Sequence, residues 1–287
     1  LAKNLTTGVR RLWRNALTAS YRPRSGWSPA PSLVVLRPTL RCNLSCQICY
    51  DRGENVIRES WASPGADPAS ELSESAWVEL VSELTRFRPT FYITGGEPLL
   101  ASTLIPILQV LKQKGCYVSL NTNGVLLEKR AEALLDAGVD KIIVSLDGPP
   151  ETHDAVRGES FEALARGIRK VQELKRARGL RRPVLRLQCV ISHLNLNQLE
   201  ETVAEARKLG CGEIRFQHPI FAFSSAACRV SEEMKSMMTW ADLSRPRREW
   251  LHLTGAQALA EINKLKRHDA QIKVAFEPDV KDTDIVG

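Results

Sequence analysis

From Leu33 onward, short apolar runs alternate with longer amphipathic ones, a pattern that predicts repeated strand–helix units. Leu33–Arg37, with Val34 and Val35 at its centre, predicts a buried strand. Leu72–Phe87 has helical periodicity, with Ser73 as a cap and Glu74 and Glu79 on polar positions. Thr90–Ile93 predicts a strand that runs into Thr94-Gly95-Gly96-Glu97-Pro98. Leu104–Lys114 predicts a helix stopped by Gly115, and Tyr117–Leu120 the next strand. Helices at Leu127–Ala137 and Phe161–Ala177 end near Gly138 and Gly179, with a strand at Lys141–Leu146 between them. Val184–Ile191, Leu196–Leu209 and Glu213–Phe216 add strand, helix and strand. A helix over Gln257–Arg267 and a candidate strand at Val274-Ala275-Phe276 follow.

Six strands alternating with helices predict an α/β fold built on a parallel sheet with right-handed crossovers. In such sheets functional groups gather at the C-terminal ends of the strands. The segment after the first strand, Gly95–Pro98, Asn121–Gly124 and Ser145–Asp147 all fall at that edge. Four polar motifs on one rim predict a site.

Outside these units lie two other regions. A Pro/Ser-rich linker, Arg22 to Ser32, joins an N-terminal arm to the body, giving a division into 1–32, a core over 33–267 and the start of an extension over 268–287. Between the sixth strand and the last helix, the irregular stretch 219–254 holds all three methionines with Phe221, Phe223, Trp240 and Trp250. Insertions of that length act as lids or binding loops or are disordered, although a methionine cluster also packs as ordinary core.

Charge changes the picture of the arm. Residues 1–41 carry eight basic side chains and no acid, so the net +7 leaves −1 for the rest of the chain. Val9, Leu12, Trp13, Ala16 and Leu17 recur at helical spacing, with Arg10, Arg11 and Arg14 facing elsewhere. Such a helix docks its stripe on the body or, through residues 1–24, touches a membrane surface peripherally. A nucleic-acid role is disfavoured, because the aromatics are not interleaved with the basic residues. No apolar run spans a bilayer and no signal peptide is evident, which predicts a cytoplasmic protein.

The chemistry lies in the cysteines. Of seven, three crowd into Cys42-x-x-x-Cys46-x-x-Cys49, directly after the first strand. An odd count without a secretion signal argues for metal ligation over disulfides. Thiolates at this density suit zinc or an iron–sulfur centre. A structural zinc site needs a fourth ligand, yet Cys116, Cys189, Cys211 and Cys228 are scattered singly. Cys116 and Cys189 lie in or beside apolar strands and read as core fillers. Three ligands without a fourth leave a metal position open for chemistry.

This cysteine spacing after the first strand of a βα sheet resembles the signature of the radical SAM superfamily. Gly95-Gly96-Glu97-Pro98 resembles its GGE motif. Ser145-Leu146-Asp147-Gly148 with His153-Asp154 and Arg157, and Asn121-Thr122-Asn123-Gly124, are similar to members bearing a C-terminal SPASM or Twitch extension. The resemblance runs from about Leu33 to Phe216 and implies a partial (β/α)6 barrel with outer helices.

It also implies roles. Cys42, Cys46 and Cys49 would bind three irons of a [4Fe–4S] cluster, and S-adenosyl-L-methionine would chelate the fourth. Ile48 stands at the position near the adenine, where aromatics are commoner. Gly95 and Gly96 would let the backbone approach the methionine amino group, and Glu97 would orient that loop. Ser145 would meet the ribose or carboxylate, and Arg157 the carboxylate; read without the resemblance, Arg157 is a solvated helix-start charge. A reduced donor such as flavodoxin or ferredoxin would supply an electron, and a 5′-deoxyadenosyl radical would abstract hydrogen from substrate. Cys228, in the irregular stretch, is either a hydrogen donor to a substrate radical or an inert loop thiol. No cysteine follows it, so an auxiliary cluster has no ligands within these residues, and the chain itself reads as continuing beyond residue 287. The SPASM-like motifs favour a peptide or natural-product precursor as substrate. A lipid or small metabolite at a membrane surface is the second reading, and a non-catalytic metal-binding or peptide-recognition module the third.

Overall fold

Seven short segments pair side by side in chain order to form a single parallel sheet, β1 (Leu33–Leu36), β2 (Thr90–Ile93), β3 (Tyr117–Thr122), β4 (Lys141–Ser145), β5 (Val184–Val190), β6 (Glu213–Gln217) and β7 (Lys273–Glu277). This computed structural model describes residues 30–49, 71–217, 261, 264–265 and 272–277. Among the described residues β1 and β7 stand at opposite edges and do not pair, so the sheet is open. The candidate strand at 274–276 is real: β7 pairs in parallel with β6 and makes the sheet seven-stranded where six strands were expected.

Strand parity separates two faces. Phe91, Ile93, Val118, Leu120, Ile142 and Val144 share one face, and their counterparts Leu187, Cys189, Ile214 and Phe216 continue it. All ten lie in the buried core. Helices cover this face: α1 (Glu74–Leu84), α2 (Leu104–Gln113), α3 (Leu127–Asp136), α5 (Phe161–Ala177) and α6 (Leu199–Lys208). Each buries a stripe at 3–4 residue spacing, as in Leu104, Ile107, Leu108 and Leu111 of α2. Leu265, in a short helical stretch that follows β6 in the chain, adds to the same cluster at 1% exposure.

Local chemistry sets the helix ends. The Ser73 hydroxyl accepts from the Ala76 N–H at 3.2 Å, capping α1. One helix has no counterpart in the predicted pattern: α4 (Pro150–Arg157), which opens on Pro150, a residue whose fixed φ suits a first helical position. Two expectations need correction. β1 is an edge strand with Leu33 54% and Val35 52% exposed, because only one of its faces meets helices. The helix expected over Leu196–Leu209 is a 3₁₀ turn, Leu196–Gln198, followed by α6. The N-terminal arm, the 219–254 stretch and Cys228 lie outside the described residues.

Candidate active site

Strand ends bring the cysteine loop and three polar motifs together at one edge. The loop after β1 is stitched to the loop after β2 by backbone bonds: Gly96 N–H donates to Thr39 O at 3.1 Å and Glu97 N–H to Arg41 O at 2.7 Å. A Cβ on Gly95 would stand 2.3 Å from Thr39 O, and one on Gly96 2.2 Å from Arg41 O. Gly95 also adopts φ 146°, which disfavours side chains. What a side chain at either glycine would strike is therefore the cysteine loop's own backbone. The loop's other flank is clamped by Glu71, which takes Arg41 through Nε at 2.8 Å and Nη2 at 3.2 Å and also accepts from the Thr39 hydroxyl. The Arg41 hydrogen bond is the main reason the Glu71 pKa is lowered.

A buried carboxylate ties the next motif in. Glu97 is fully buried and accepts from Leu99 N–H at 3.0 Å, the Thr122 hydroxyl at 2.8 Å and Asn123 N–H at 2.8 Å. Burial raises its pKa to about 7, against the lowering effect of those three donors. Held this way, Asn123 extends its carboxamide N–H to Asn43 Oδ1 at 2.9 Å and towards Cys42 Sγ at 3.8 Å.

The third contact comes from α4. Gln47, between the first two cysteines and the third, donates through its backbone to Val156 O at 2.9 Å and through its side chain to Ala155 O at 2.8 Å. The last residue of α4, Arg157, points Nη1 towards Cys46 Sγ at 3.8 Å and gives Nε to Asp147, which is 0% exposed. Far from being a solvated helix-start charge, Arg157 closes a helix and is 12% exposed at its side chain. Asp147 is a hub: its other oxygen accepts Val190 N–H at 2.8 Å, its own N–H donates to His153 Nδ1 at 3.2 Å, and its carbonyl accepts from Asn195 Nδ2 at 3.0 Å. Since His153 Nδ1 is an acceptor, Nε2 carries the proton and faces the Ser160 hydroxyl at 3.1 Å. Burial lowers the His153 pKa to about 4.

Cys46 is buried while Cys42 and Cys49 are partly exposed, and all three are free thiols. Burial raises the Cys46 pKa; Arg157 opposes this, and the other two cysteines lie near enough to add to the rise. Among the described residues no three His, Cys, Asp or Glu side chains converge tightly on one point as single-ion ligands would. A four-iron cluster makes no such demand, because it spreads its thiolates over separate irons. Two N–H donors directed at two of the sulfurs fit thiolate ligands, whose charge such donors stabilise. Ile48 is partly buried in the same loop, and Ser145 is buried at the end of β4. The Asn121 carboxamide oxygen is buried without a hydrogen-bond partner, a state costing about 1–3 kcal/mol unless a ligand donor meets it. Residues Asn123 and Asp147 had no role assigned from the sequence, although both belong to motifs picked out there.

The chain is 32% identical over 177 residues to a probable GTP 3′,8-cyclase of Methanococcus aeolicus, covering 60% of this chain and 54% of that protein. It is 27% identical over 204 residues to the pre-heme d1 synthase of Dinoroseobacter shibae, 70% of this chain and 46% of that one. The chain thus spans about half the length of the curated relatives it matches. Its fold is shared with Streptococcus suis SuiB, solved with the precursor peptide SuiA (TM-score 0.64, 12% identity, 96% of this chain, 55% of that one). The model of the Radical SAM superfamily matches residues 36–206, more than half of the chain. That span takes in the cysteine loop and every rim motif through Arg157, and the chain belongs to the radical SAM superfamily, whose enzymes use a [4Fe–4S] cluster and S-adenosylmethionine.

Proposed function

We propose that Cys42, Cys46 and Cys49 hold the [4Fe–4S] cluster, with S-adenosylmethionine against the strand ends that carry Gly95, Gly96, Glu97, Ser145 and the unpartnered Asn121 oxygen, beside Ile48. The observation that carries this reading is the pair of N–H donors, from Asn123 and Arg157, directed at Cys42 and Cys46. When bound, the two cofactors supply reductive cleavage of a sulfonium and a carbon radical that removes hydrogen from substrate. The chain's own part is positional. Glu97 fixes Asn123, Asp147 fixes Arg157, and Gln47 anchors the loop to α4. Burial of Cys46 keeps water from one thiolate. An electron reaches such enzymes from a reduced donor, here a flavodoxin or ferredoxin. Arg157, held by Asp147 and Cys46, acts first on the thiolate, and its pairing with the cofactor carboxylate uses what donors remain.

A peptide or natural-product precursor is the substrate that the SPASM-like motifs and the SuiB fold support. A small anionic metabolite is the second reading, favoured by the GTP cyclase and haem-pathway relatives. Anaerobic reconstitution tests the core of the proposal. The full chain should take up iron and acid-labile sulfide in equal amounts and release 5′-deoxyadenosine when given S-adenosylmethionine and dithionite. The Cys42→Ala/Cys46→Ala/Cys49→Ala variant should do neither. Zinc in place of iron, or iron retained by that variant, would sink it.

A further inference from the structure

The two ends of the sheet differ in character. Strands leave it towards the cysteine loop and the rim motifs, and they enter it, at the far end, from links that are mostly basic. Arg86 and Arg88 precede β2, Lys112 and Lys114 precede β3, and Arg178, Arg181 and Arg182 precede β5. The acids beside the strand starts are engaged: Asp140 holds Lys112 and Arg182, Asp136 holds Arg178, Glu205 holds Lys208 and Glu213 holds Arg215. Among the described residues Arg86, Arg88, Lys114, Arg176 and Arg181 are exposed and make no ion pair, against the exposed Glu83 and Glu173 near the helix ends. Two links set a large apolar side chain between arginines, Arg86-Phe87-Arg88 and Arg178-Gly179-Leu180-Arg181. Phe87 is 52% and Leu180 41% exposed, and Leu33 and Val184, which open β1 and β5, add exposed apolar area at the same end. Arg88 adopts φ 50°, in the left-handed region, and its N–H closes the turn on Thr85 O at 2.9 Å, which fixes the Phe87 tip. β2 and β5 stand three places apart in the sheet, so the strands that carry the tips are on the order of 14 Å from each other. Helix C-termini favour cations, and that accounts for Lys112, Arg176 and Lys208 in last turns. It does not account for Arg88 and Arg181, beyond the helix ends, or for the exposed Phe87 and Leu180.

We propose that this strand-entry end rests on an anionic lipid surface, with Phe87 and Leu180 dipping into it and Arg86, Arg88, Lys114, Arg176 and Arg181 on the headgroups. Cations around a projecting apolar side chain match an anionic bilayer, whose charge lies outside and whose acyl chains lie within. A second copy of this chain would set cations against cations. The chain's own residues 1–41, with eight basic side chains and no acid, are repelled in the same way. Nucleic acid asks for aromatic platforms in series, and Leu180 offers none. Among the described residues no helix is long and apolar enough to cross a membrane, so the contact is peripheral. Strands of four to seven residues separate this end from the cysteine rim, on the order of 13–23 Å. The reaction centre therefore stays in water, and the surface locates the protein without delivering lipid to the rim. The contact requires neither cluster nor cofactor.

Sedimentation of the full reconstituted chain with vesicles tests it, using phosphatidylcholine alone and an equal mixture of phosphatidylcholine and phosphatidylserine. The wild-type chain should pellet with the mixed vesicles and not with the neutral ones. Arg86→Gln/Arg181→Gln should lower partition about thirtyfold, at roughly fivefold for each arginine. Phe87→Ser/Leu180→Ser should lower it about tenfold. Leu80→Ser, at an exposed apolar position on the side of α1, should change nothing. Arg10→Glu/Arg11→Glu/Arg14→Glu should leave most of the binding, which separates this surface from the N-terminal arm. Melting temperature shows whether each double variant folds; if one does not, the other decides. No pelleting with the mixed vesicles, pelleting that the folded double variants leave intact, or pelleting abolished by the three arm substitutions would overturn the proposal. Displacement of the chain from mixed vesicles by a stoichiometric single-stranded RNA oligonucleotide would overturn it as well, in favour of a nucleic-acid surface.

Discussion

Removing the Asp147 carboxylate should cost this fold a large share of its stability. The side chain is 0% exposed, and its partner Arg157 is 12% exposed, so the pair is effectively out of water. Breaking such a pair from one side leaves a bare buried charge and costs about 3–5 kcal/mol. Asp147→Asn keeps an acceptor for the Val190 N–H and should cost about that much. Asp147→Ala also strands that N–H, adding about 1–3 kcal/mol. Against a typical total of about 5–15 kcal/mol, the alanine variant should be close to unfolding. Arg157→Met should be costly for the mirror-image reason. The double variant Asp147→Asn/Arg157→Met, with no charge left to strand, should be more stable than the sum of the singles predicts by about 2 kcal/mol or more. Urea unfolding of the cluster-free chain at pH 7 measures all four, with unchanged slopes confirming a common unfolded state. Additive losses in the double variant, or an Asp147→Asn cost under about 1 kcal/mol, would refute the buried-pair account.

Between pH 4 and 7 two buried groups should pull stability in opposite directions. Glu97, with its pKa raised from 4.5 to about 7, contributes stability that is full below 4.5 and lost as pH rises through 7. His153, lowered from 6.5 to about 4, contributes stability that is full above 6.5 and lost as pH falls through 4. Urea midpoints of Glu97→Gln should therefore rise with pH across this window, and those of His153→Asn should fall; matching slopes in the two variants would show the assignments to be mistaken. Gly96→Ala should displace the Arg41 carbonyl, cost about 1–3 kcal/mol and lower iron uptake on reconstitution. Iron uptake equal to wild type would mean the loop absorbs the methyl group. Asn123→Ala, which removes the N–H directed at Cys42, should shift the cluster's reduction potential to more negative values in an electron paramagnetic resonance titration; an unchanged midpoint would exclude that role.

The strands and the long helices were legible because their periodicities are strong: Thr90–Ile93 and Phe161–Ala177 stand where the pattern placed them. α4 was not, since eight residues of mixed polarity give no clear period, and its proline-led start reads equally as a loop. The two-sidedness of the sheet was hidden for a different reason. The run Ile142-Ile143-Val144 is buried throughout and shows no alternation, whereas Arg186 and Arg215 look like surface charges until the register sets Arg186 beside Ile143 and Arg215 beside Ala275. At the rim, the motifs could be read but not their wiring. Nothing in the order of residues says that Glu97 serves Asn123, or that Asp147 reaches across to Val190. Such links join positions 26 and 43 residues apart and exist only once the strand ends are adjacent.

The backbone of Thr39–Arg41 fills the space above Gly95 and Gly96 so completely that the two segments can vary only as a unit. A chimera that imports the iron-binding segment from a relative without its matching glycine turn would inherit a steric mismatch of its main chain, one that no side-chain redesign nearby could relieve. Swapped together, the two pieces should travel as one cassette, and the remaining strands need only offer the same spacing to receive it.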